Sequence, residues 1–335
     1  MYQGHLIGVV VPAFNERELI HETLVAIPSY VDQIYAVDDG SIDGTCAVIE
    51  KLQEMDRRIV CLRHEKNRGG VGAAIITGYR EAIAYGIDII AVMAGDNQMD
   101  PDKLHQLLDP IVQGRADYTK GNRLLYQGHR TGMSKWRYFG NTLLTFLTRI
   151  GSGYWHLIDP QNGYTAISTV VFERFSPDTI YPWYGYCNDL LVKLNVYGFK
   201  MMDIPMPARY GREKSAIRYS TYIPRVSWLL LRKFFWRLQT KYLFLQFHPL
   251  VLFYLIGMPL TFLGLLSCVH SLYYYFVLEG PLFTRGVLSL LLLAAGTQFM
   301  LFGMVFDLMA SPERENAERL GLNKSSKESL TPGER

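Results

Sequence analysis

Three oxygen-bearing side chains, Asp96, Asn97 and Gln98, stand together shortly after a run of apolar residues. This run, GIDIIAV (86–92), has the length and β-branched content of a buried strand. Open α/β sheets bind ligands at the carboxyl ends of their strands, which is where these side chains should lie. Carboxylate and amide oxygens suit a hard divalent cation. The sequence therefore predicts a cation site here, with a diphosphate close to it.

Carboxylates also follow a second strand-like run, in the segment VDDGSIDGT (37–45). Two neighbouring carboxylates, Asp38 and Asp39, repel each other unless a ribose, a base or a cation neutralises them. For Ser41 and Asp43 in the same segment we expect helix capping instead. Together with the acidic segment described above, these residues predict a nucleotide cleft at one edge of a sheet.

Strand-like and helix-like patterns alternate over the first two thirds of the chain. The strand-like runs lie at 6–14, 33–41, 58–69 (which runs into a loop) and 87–96, and the helical patterns at 16–29, 44–55 and 71–86. Such alternation is typical of βαβ units and predicts an α/β fold with a mainly parallel sheet.

The composition leaves room for one α/β domain and an appendage, with 335 residues of which 49% are hydrophobic. A net charge of +3 gives no support for nucleic-acid binding, so no nucleic-acid partner is predicted. The cysteines are scattered without a Cys-x-x-Cys pair, which argues against a disulfide framework or a zinc site and fits a reducing compartment. The histidines, including His64, show no metal-ligand spacing and are expected to be surface or packing residues.

The composition shifts towards the C-terminus. Segment 223–247 mixes aromatic and leucine residues with five basic residues, which predicts an amphipathic helix in a membrane interface at 221–247. A surface helix packed on the domain is the alternative. Segments 250–277 and 282–309 are each long enough to span about 30 Å of hydrocarbon. A four-residue turn between them predicts a transmembrane hairpin over 248–310.

The positive cluster before the first span predicts that both ends of the hairpin face the cytoplasm, as do the catalytic domain and the polar tail at 311–335. The alternative is a pair of buried core helices in a soluble protein. His270 and Gln298 within the spans could contact a second copy in a homo-oligomer, lie at an interface or line the hairpin itself.

Six short motifs follow one another in a characteristic order. They are PAFNE (12–16), VDDGSIDGT (37–45), NRGGVGAA (67–74), AGDNQMDP (94–101), KGNRL (120–124) and DPQNGYTAIS (159–168). This order resembles the inverting glycosyltransferases with the GT-A fold, most closely the polyprenyl-phosphate branch that includes dolichyl-phosphate mannose and glucose synthases. The resemblance covers about residues 5–220, which is the predicted catalytic domain (1–220). The C-terminal hairpin resembles the membrane anchors of that branch.

The resemblance implies a binding site for a nucleotide-sugar donor. The matching positions are Pro12, Asn15, Glu16, Asp38, Asp39, Gly95 and Asp96. Asp96 and Gln98 would hold Mg²⁺ or Mn²⁺, which offsets charge on the departing diphosphate. The chain departs from the family at Ala94, where the first acid of Asp-x-Asp is expected. Metal binding would then be weaker, or Asp39 would substitute, and a protein that binds without catalysing is an alternative.

The resemblance also implies cations for the acceptor phosphate. The matching or neighbouring positions are Arg123, Lys135, Arg137, Arg212 and Lys214. The last two lie in a basic loop that suits either a substrate phosphate or a membrane surface. Asp159 and Gln161 are expected to position the acceptor or to be structural.

Asp189 stands where relatives with hydroxyl acceptors carry a base, and capping a helix is the alternative for it. The predicted catalytic residues are therefore Asp96, Asp189, Arg123 and Arg137. They would transfer one sugar, from a donor of the GDP-mannose or UDP-glucose type, to a polyprenyl phosphate with inversion. The other hypotheses are a membrane-anchored transferase with another acceptor and a non-catalytic adaptor that binds nucleotide sugars. No Gln-x-x-Arg-Trp or Gly-x-Gly-x-x-Gly string favours a processive synthase or a Rossmann dehydrogenase.

Overall fold

The computed structural model describes residues 1–123, 135–207 and 219–310, without the side chains of 135–139, 141 and 219. The described residues fall into two compact units, one up to Phe234 and the other from Phe235 onwards. The strands are β1 (Ile7–Ala13), β2 (Gln33–Asp38), β3 (Ile59–Arg63), β4 (Ile89–Val92), β5 (Tyr118–Asn122), β6 (Thr165–Ser168) and β7 (Met201–Pro205). The helices are α1 (Ile20–Val25), α2 (Thr45–Met55), α3 (Val71–Tyr85), α4 (Leu104–Val112), α5 (Lys135–Ser152), α6 (Tyr186–Val196), α7 (Tyr219–Gln239), α8 (Leu250–Val277) and α9 (Phe283–Met309).

The first unit contains a seven-stranded sheet in the order β3-β2-β1-β4-β6-β5-β7. Its paired strands run parallel except at β6, which is antiparallel to both β4 and β5. The start of β6 therefore lies at the edge where the parallel strands end: its Thr165 pairs with Val92 of β4 and with Lys120 of β5. The predicted mainly parallel α/β fold is confirmed.

Apolar side chains cover both faces of this sheet, as expected for parallel strands buried between helices. Val9 and Val11 of β1 belong to one core cluster and Val10 to the other. Helix α3 packs very closely on the second face, because a Cβ on Gly78 would lie 2.4 Å from a methyl group of Val10. This approach explains the small residues in the sequence of α3.

Some predicted elements are shorter in the structure. The helical pattern at 16–29 forms an α-helix only from Ile20 to Val25, and the strand-like run at 87–96 forms a strand only from Ile89 to Val92. The run at 58–69 is a strand as far as Arg63 and continues as a loop, as predicted. The residues between β1 and α1 are held in a turn by contacts described below. The predicted domain limits stay predictions, but the first compact unit includes most of α7, whose Val226 and Leu230 pack with Leu144 of α5.

The second unit is built around α8 and α9, which lie antiparallel and in close contact. A Cβ on Gly264 would lie 2.6 Å from the backbone nitrogen of Leu293, and one on Gly296 would lie 2.3 Å from that of Thr261. Both helices are long and apolar enough to cross a membrane, and only 28% and 17% of their most apolar windows are buried. Core helices of a soluble protein would be mostly buried, so this exposure favours the transmembrane hairpin. His270 and Gln298 are exposed and do not line the hairpin interface.

The segment predicted to lie in the membrane interface comprises α7 and a π-helical turn, Thr240–Leu245. Large apolar side chains are exposed along it, among them Trp228, Phe235 and Phe244. Such side chains beside basic residues are typical of an interfacial helix.

Candidate active site

The end of β1 connects the two acidic segments singled out in the sequence. The Asp39 backbone nitrogen donates to the Ala13 carbonyl at 2.9 Å, and the Gly95 nitrogen donates to the Pro12 carbonyl at 3.1 Å. The acidic segments after β2 and β4 therefore lie on either side of β1. Gly95 has little room for a side chain, since a Cβ there would lie 3.0 Å from Ile20.

The turn after β1 is cross-linked to the loop after β2. The Asn15 nitrogen donates to Ser41 Oγ at 2.9 Å, and Asn15 Oδ1 accepts from the Ile42 nitrogen at 3.1 Å. Asn15 has φ of +57°, a conformation that asparagine tolerates better than most residues. The Glu16 nitrogen donates to Thr45 Oγ1 at 2.9 Å. Ser41, predicted to cap a helix, instead fixes this turn.

Helix α2 begins after Gly44, which has no side chain that could accept a hydrogen bond from the helix N-terminus. Asp43 Oδ1 accepts from the Thr45 backbone nitrogen at 3.0 Å and from its hydroxyl at 2.6 Å. Burial alone would raise the pKa of Asp43, but these hydrogen bonds and one from the Arg17 nitrogen lower it. Asp43 therefore contributes to the start of α2, in line with its predicted role.

Asp38 is completely buried at the end of β2. Its Oδ1 accepts from the Ser41 nitrogen at 3.2 Å, while its Oδ2 is buried and has no hydrogen-bond partner among the described residues. A buried carboxylate oxygen without a donor is costly. A ligand with N–H or O–H groups, such as a nucleoside, would satisfy it.

Asp39 is held by a histidine that sequence reasoning did not connect with it. Asp39 Oδ1 lies 2.6 Å from His64 Nδ1, and it also accepts from the Arg68 nitrogen at 3.3 Å. The other ring nitrogen of His64 lies 2.9 Å from Thr77 Oγ1 on α3. His64 is buried, which agrees with a packing residue, but the ring also orients a predicted donor-binding carboxylate.

The candidate metal ligands lie in a tight turn after β4. Asp96 Oδ1 accepts from the Gln98 nitrogen at 3.1 Å, and Asn97, with φ of +57°, donates to Glu22 Oε2 at 3.1 Å. Asp96 and Gln98 are both partly exposed at the edge of the sheet. Their oxygens are hard donors and fit Mg²⁺ or Mn²⁺, whereas Ala94 offers no ligand.

Arg123 is held by a buried carboxylate just after β5. Its Nε donates to Asp159 Oδ2 at 2.9 Å and its Nη2 donates to Asp159 Oδ1 at 3.3 Å. Burial alone would raise the pKa of Asp159, but the charges of Arg123 and Lys120 lower it. The Arg123 side chain is 39% exposed while that of Asp159 is 5% exposed, so Asp159 orients a side chain that is itself partly exposed.

The segment that contains Asp159 is tied to the candidate metal turn. The buried Lys120 Nζ donates to the carbonyls of Pro160 at 2.6 Å and Asn162 at 2.7 Å. The Tyr164 hydroxyl donates to the Asp100 carbonyl at 2.9 Å. These bonds place the Arg123–Asp159 pair and the Asp96 turn at the same edge of the sheet.

Four predicted acceptor residues cannot be placed as side chains. Helix α5 begins at Lys135 and includes Arg137, but their side chains lie outside the described part of the chain. Arg212 and Lys214 also lie outside the described residues. These four positions stay predictions.

Asp189 is completely buried in the first turn of α6, after the N-cap residue Gly185. Its Oδ2 accepts from the Tyr181 nitrogen at 2.8 Å and from Lys193 Nζ at 2.5 Å, and its Oδ1 lies 2.6 Å from Lys233 Nζ. Burial lowers the pKa of Lys193 to about 8, although Asp189 opposes this change. Two ammonium groups thus hold the carboxylate.

An aromatic segment, YPWYGY (181–186), covers the glycines of the NRGG motif. A Cβ on Gly70 would lie 2.7 Å from the Trp183 ring. The Arg225 guanidinium also contacts Trp183 and lies 4.7 Å from the centre of its ring. Tyr222, also on α7, donates a hydrogen bond to Gln161. Sequence reasoning missed these aromatic residues. Their clustering within six positions of the sequence was a signal that could have identified them.

Comparison with known proteins identifies the class. Residues 8–175 match the family described as glycosyl transferase family 2, and the chain belongs to this family. It is therefore a glycosyltransferase, and its fold is the GT-A fold, as the sequence resemblance implies.

Similar proteins include two named transferases. The chain is 28% identical to a UDP-N-acetylglucosamine–dolichyl-phosphate N-acetylglucosaminyltransferase of Methanococcus voltae, over 61% of this chain and 86% of that protein. It is 29% identical to a polyprenol monophosphomannose synthase of Mycolicibacterium smegmatis, over 59% of this chain and 75% of that protein. The fold matches glucosyl-3-phosphoglycerate synthase of Mycobacterium tuberculosis, crystallised with Mn²⁺ and UDP, with a TM-score of 0.51 and 19% identity over 70% and 80% of the two chains.

Proposed function

We propose that this glycosyltransferase moves one sugar from a nucleotide-diphosphate sugar to the phosphate of a polyprenyl phosphate, with inversion. The observation that carries the proposal is the partly exposed Arg123 side chain, whose guanidinium group Asp159 orients, at the sheet edge that also carries Asp96. A guanidinium group in this arrangement suits a phosphate. One relative is named a dolichyl-phosphate N-acetylglucosaminyltransferase and another a polyprenol monophosphomannose synthase, which supports the same acceptor class.

The nucleotide of the donor would lie between the loops after β1 and β2. Asp38, with its buried and unsatisfied Oδ2, would accept hydrogen bonds from the base or the ribose. Asp39, fixed by His64, would bind the ribose. Pro12, Asn15 and Glu16 would line the same cleft, because their backbone joins these loops.

Asp96 and Gln98 would hold Mg²⁺ or Mn²⁺ near the donor diphosphate, beside Gly95. The bound ion would stabilise the negative charge that develops on the leaving diphosphate. The metal-binding strength expected of this set is modest, because Ala94 replaces one carboxylate.

In the proposed reaction an oxygen of the acceptor phosphate attacks the anomeric carbon. The new carbon–oxygen bond forms as the bond from that carbon to the diphosphate oxygen breaks, and a nucleoside diphosphate leaves. Arg123, with Arg137, Lys135, Arg212 and Lys214 as further candidates, would orient the acceptor phosphate. A phosphate monoester is already ionised at neutral pH and needs no strong base. Asp189 would then not accept a proton. It would instead hold Lys193 and Lys233 in place through its two ion pairs.

The second unit would anchor the enzyme in the membrane where the acceptor is found. The hairpin of α8 and α9 would span the bilayer with both ends in the cytoplasm, since Arg232, Lys233, Arg237 and Lys241 precede the first span. An anchor restricts the enzyme to the surface that contains its lipid substrate and so raises the local acceptor concentration.

A second candidate, an adaptor that binds nucleotide sugars without turnover, is favoured by one observation, the alanine at position 94. The adaptor would bind the donor but leave the sugar in place. A transfer assay separates the two candidates.

The test uses the full chain in detergent with Mg²⁺ or Mn²⁺, dolichyl phosphate, and radiolabelled GDP-mannose, UDP-glucose or UDP-N-acetylglucosamine. We expect label in the organic phase with one donor. Asp96→Ala should abolish transfer, whereas Asp102→Ala, which changes an exposed carboxylate just beyond the turn, should not. Donor binding without transfer in the folded wild type would support the adaptor and contradict the proposed reaction.

A further inference from the structure

Three potential metal ligands from α2 and β3 converge at the side of the sheet that carries its edge strand. They are the sulfurs of Cys46 and Cys61 and a carboxylate oxygen of Glu50, and all three atoms lie within 4.8 Å of one another. Cys46 and Glu50 are four residues apart and therefore share one face of α2. Cys61 lies on β3, the edge strand of the sheet, against which α2 packs.

We propose that Cys46, Glu50 and Cys61 form a binding site for a thiophilic divalent cation of the Zn²⁺ class, with water as the fourth ligand. Cysteine thiolates and glutamate carboxylates are each zinc ligands, and three protein ligands with a water molecule make an open tetrahedral site. Zinc–sulfur bonds of about 2.3 Å separate two sulfurs on one ion by roughly 3.8 Å, so small side-chain movements would complete the site. Its soft sulfur ligands distinguish this site from the Asp96 turn, whose oxygen ligands prefer Mg²⁺ or Mn²⁺.

The surroundings of the three groups allow an ion to enter. Cys46 is buried and Cys61 is partly buried, whereas Glu50 is exposed and opens the cluster to solvent. A cysteine thiol is mostly protonated at neutral pH, because its ordinary pKa is about 8.5. Each thiol would lose its proton to solvent as its sulfur donates an electron pair to the ion, and binding would release two protons.

The site would join α2 to the edge strand. Helix α2 directly follows the loop that begins at Asp39, after the end of β2, so an ion here would stabilise the support of the proposed donor site. The sequence argued against a zinc site, because the cysteines are scattered and lack a Cys-x-x-Cys pair, and only the packing of α2 on β3 brings Cys46 and Cys61 together. The inference does not depend on the proposed transfer reaction.

The test titrates the reduced full chain in detergent with Zn²⁺ by calorimetry, in an excess of Mg²⁺, and with Cd²⁺ while thiolate-to-cadmium absorption is recorded. We expect one ion per chain, two protons released, the absorption of two thiolates and a higher unfolding temperature. Cys46→Ser and Cys61→Ser should each abolish tight binding, and Glu50→Gln should weaken it. Cys268→Ser, which changes a cysteine of α8, is the matched control and should bind as the wild type does.

Equal Zn²⁺ affinity in the wild type and Cys61→Ser would overturn the proposal. The proposal would also be overturned if the wild type showed no thiolate-to-cadmium absorption. The same holds if Cys46 and Cys61 formed a disulfide on oxidation but bound no metal ion when reduced. The absorption measured on the wild type decides the question even where a buried variant, such as Cys46→Ser, fails to fold.

Discussion

The Asp39 carboxylate and the His64 ring form a buried contact of 2.6 Å between the loops that follow β2 and β3. Because His64 also contacts Thr77 on α3, the carboxylate is oriented from two elements at once. Asp39, which is proposed to bind the ribose, is thus held in its orientation before any donor binds.

Replacing this histidine should disturb both stability and donor binding. In His64→Leu the buried Asp39 loses a partner, which we expect to cost about 1–3 kcal/mol of unfolding free energy. Donor affinity should fall as well, since Asp39 is no longer oriented. Denaturant unfolding and calorimetric donor titration measure the two effects. His21→Leu, at an exposed histidine, should change neither, and an unchanged His64→Leu would contradict the assigned role.

The Arg123–Asp159 pair should control use of the acceptor. Arg123→Lys keeps the charge but loses the planar two-point contact, so we expect kcat/KM for polyprenyl phosphate to fall about tenfold or more, roughly 1.4 kcal/mol. Asp159→Asn should raise the acceptor KM because the guanidinium group is less firmly held. Donor affinity should be retained in both variants. Arg115→Lys, at an exposed arginine, is the control, and a loss confined to donor binding would refute this assignment.

Gly70 packs so closely on Trp183 that we expect even an alanine at position 70 to destabilise the protein. In Gly70→Ala the new Cβ would lie 2.7 Å from the indole ring and 2.9 Å from the Trp183 Cα. Overpacking of this kind typically costs about 1–3 kcal/mol. Thermal unfolding should show the loss, with partial recovery in Gly70→Ala combined with Trp183→Leu. Gly286→Ala has room for its Cβ and should be close to neutral.

Lys193 predicts a pH dependence of stability. Burial lowers its pKa to about 8, below the value of 10.5 that applies to an unperturbed lysine. Between these values the unfolded chain binds more protons than the folded one, so the contribution of Lys193 to stability increases as pH rises above about 8. The wild type should therefore gain stability relative to Lys193→Met between pH 7 and about pH 9.5. A constant difference would contradict this, and Lys51→Met, on an exposed face, should show no such trend.

The second unit contains a buried pair between Arg237 and Asp307, with two contacts of 2.7 and 2.9 Å. The Tyr242 hydroxyl donates to the same carboxylate at 2.6 Å. Asp307→Ala leaves a buried guanidinium without its counter-charge, and we expect a loss of about 3–5 kcal/mol. Arg237→Met combined with Asp307→Leu should recover much of it. Thermal unfolding in detergent measures both, and a double variant as unstable as the single one would argue against the charge as the cause.

Much of the candidate site was predictable because its residues follow buried strands. Runs of β-branched residues locate β1, β2 and β4, and parallel strands bring their carboxyl ends to one edge, so Asn15, Asp38 and Asp96 had to lie near one another. The long apolar runs of α8 and α9 were equally clear, because span length is a local property of the sequence.

Other features depend on contacts between residues far apart in the chain, and no local period records them. His64 on Asp39, Lys233 on Asp189 and Cys61 beside Cys46 each require two elements to pack in a particular register. The sequence alone therefore determined the alternation of strands and helices, the acidic strand ends and the apolar spans. Only the tertiary structure decided which charge pairs with which, because pairing depends on distance and burial in space rather than on separation along the chain.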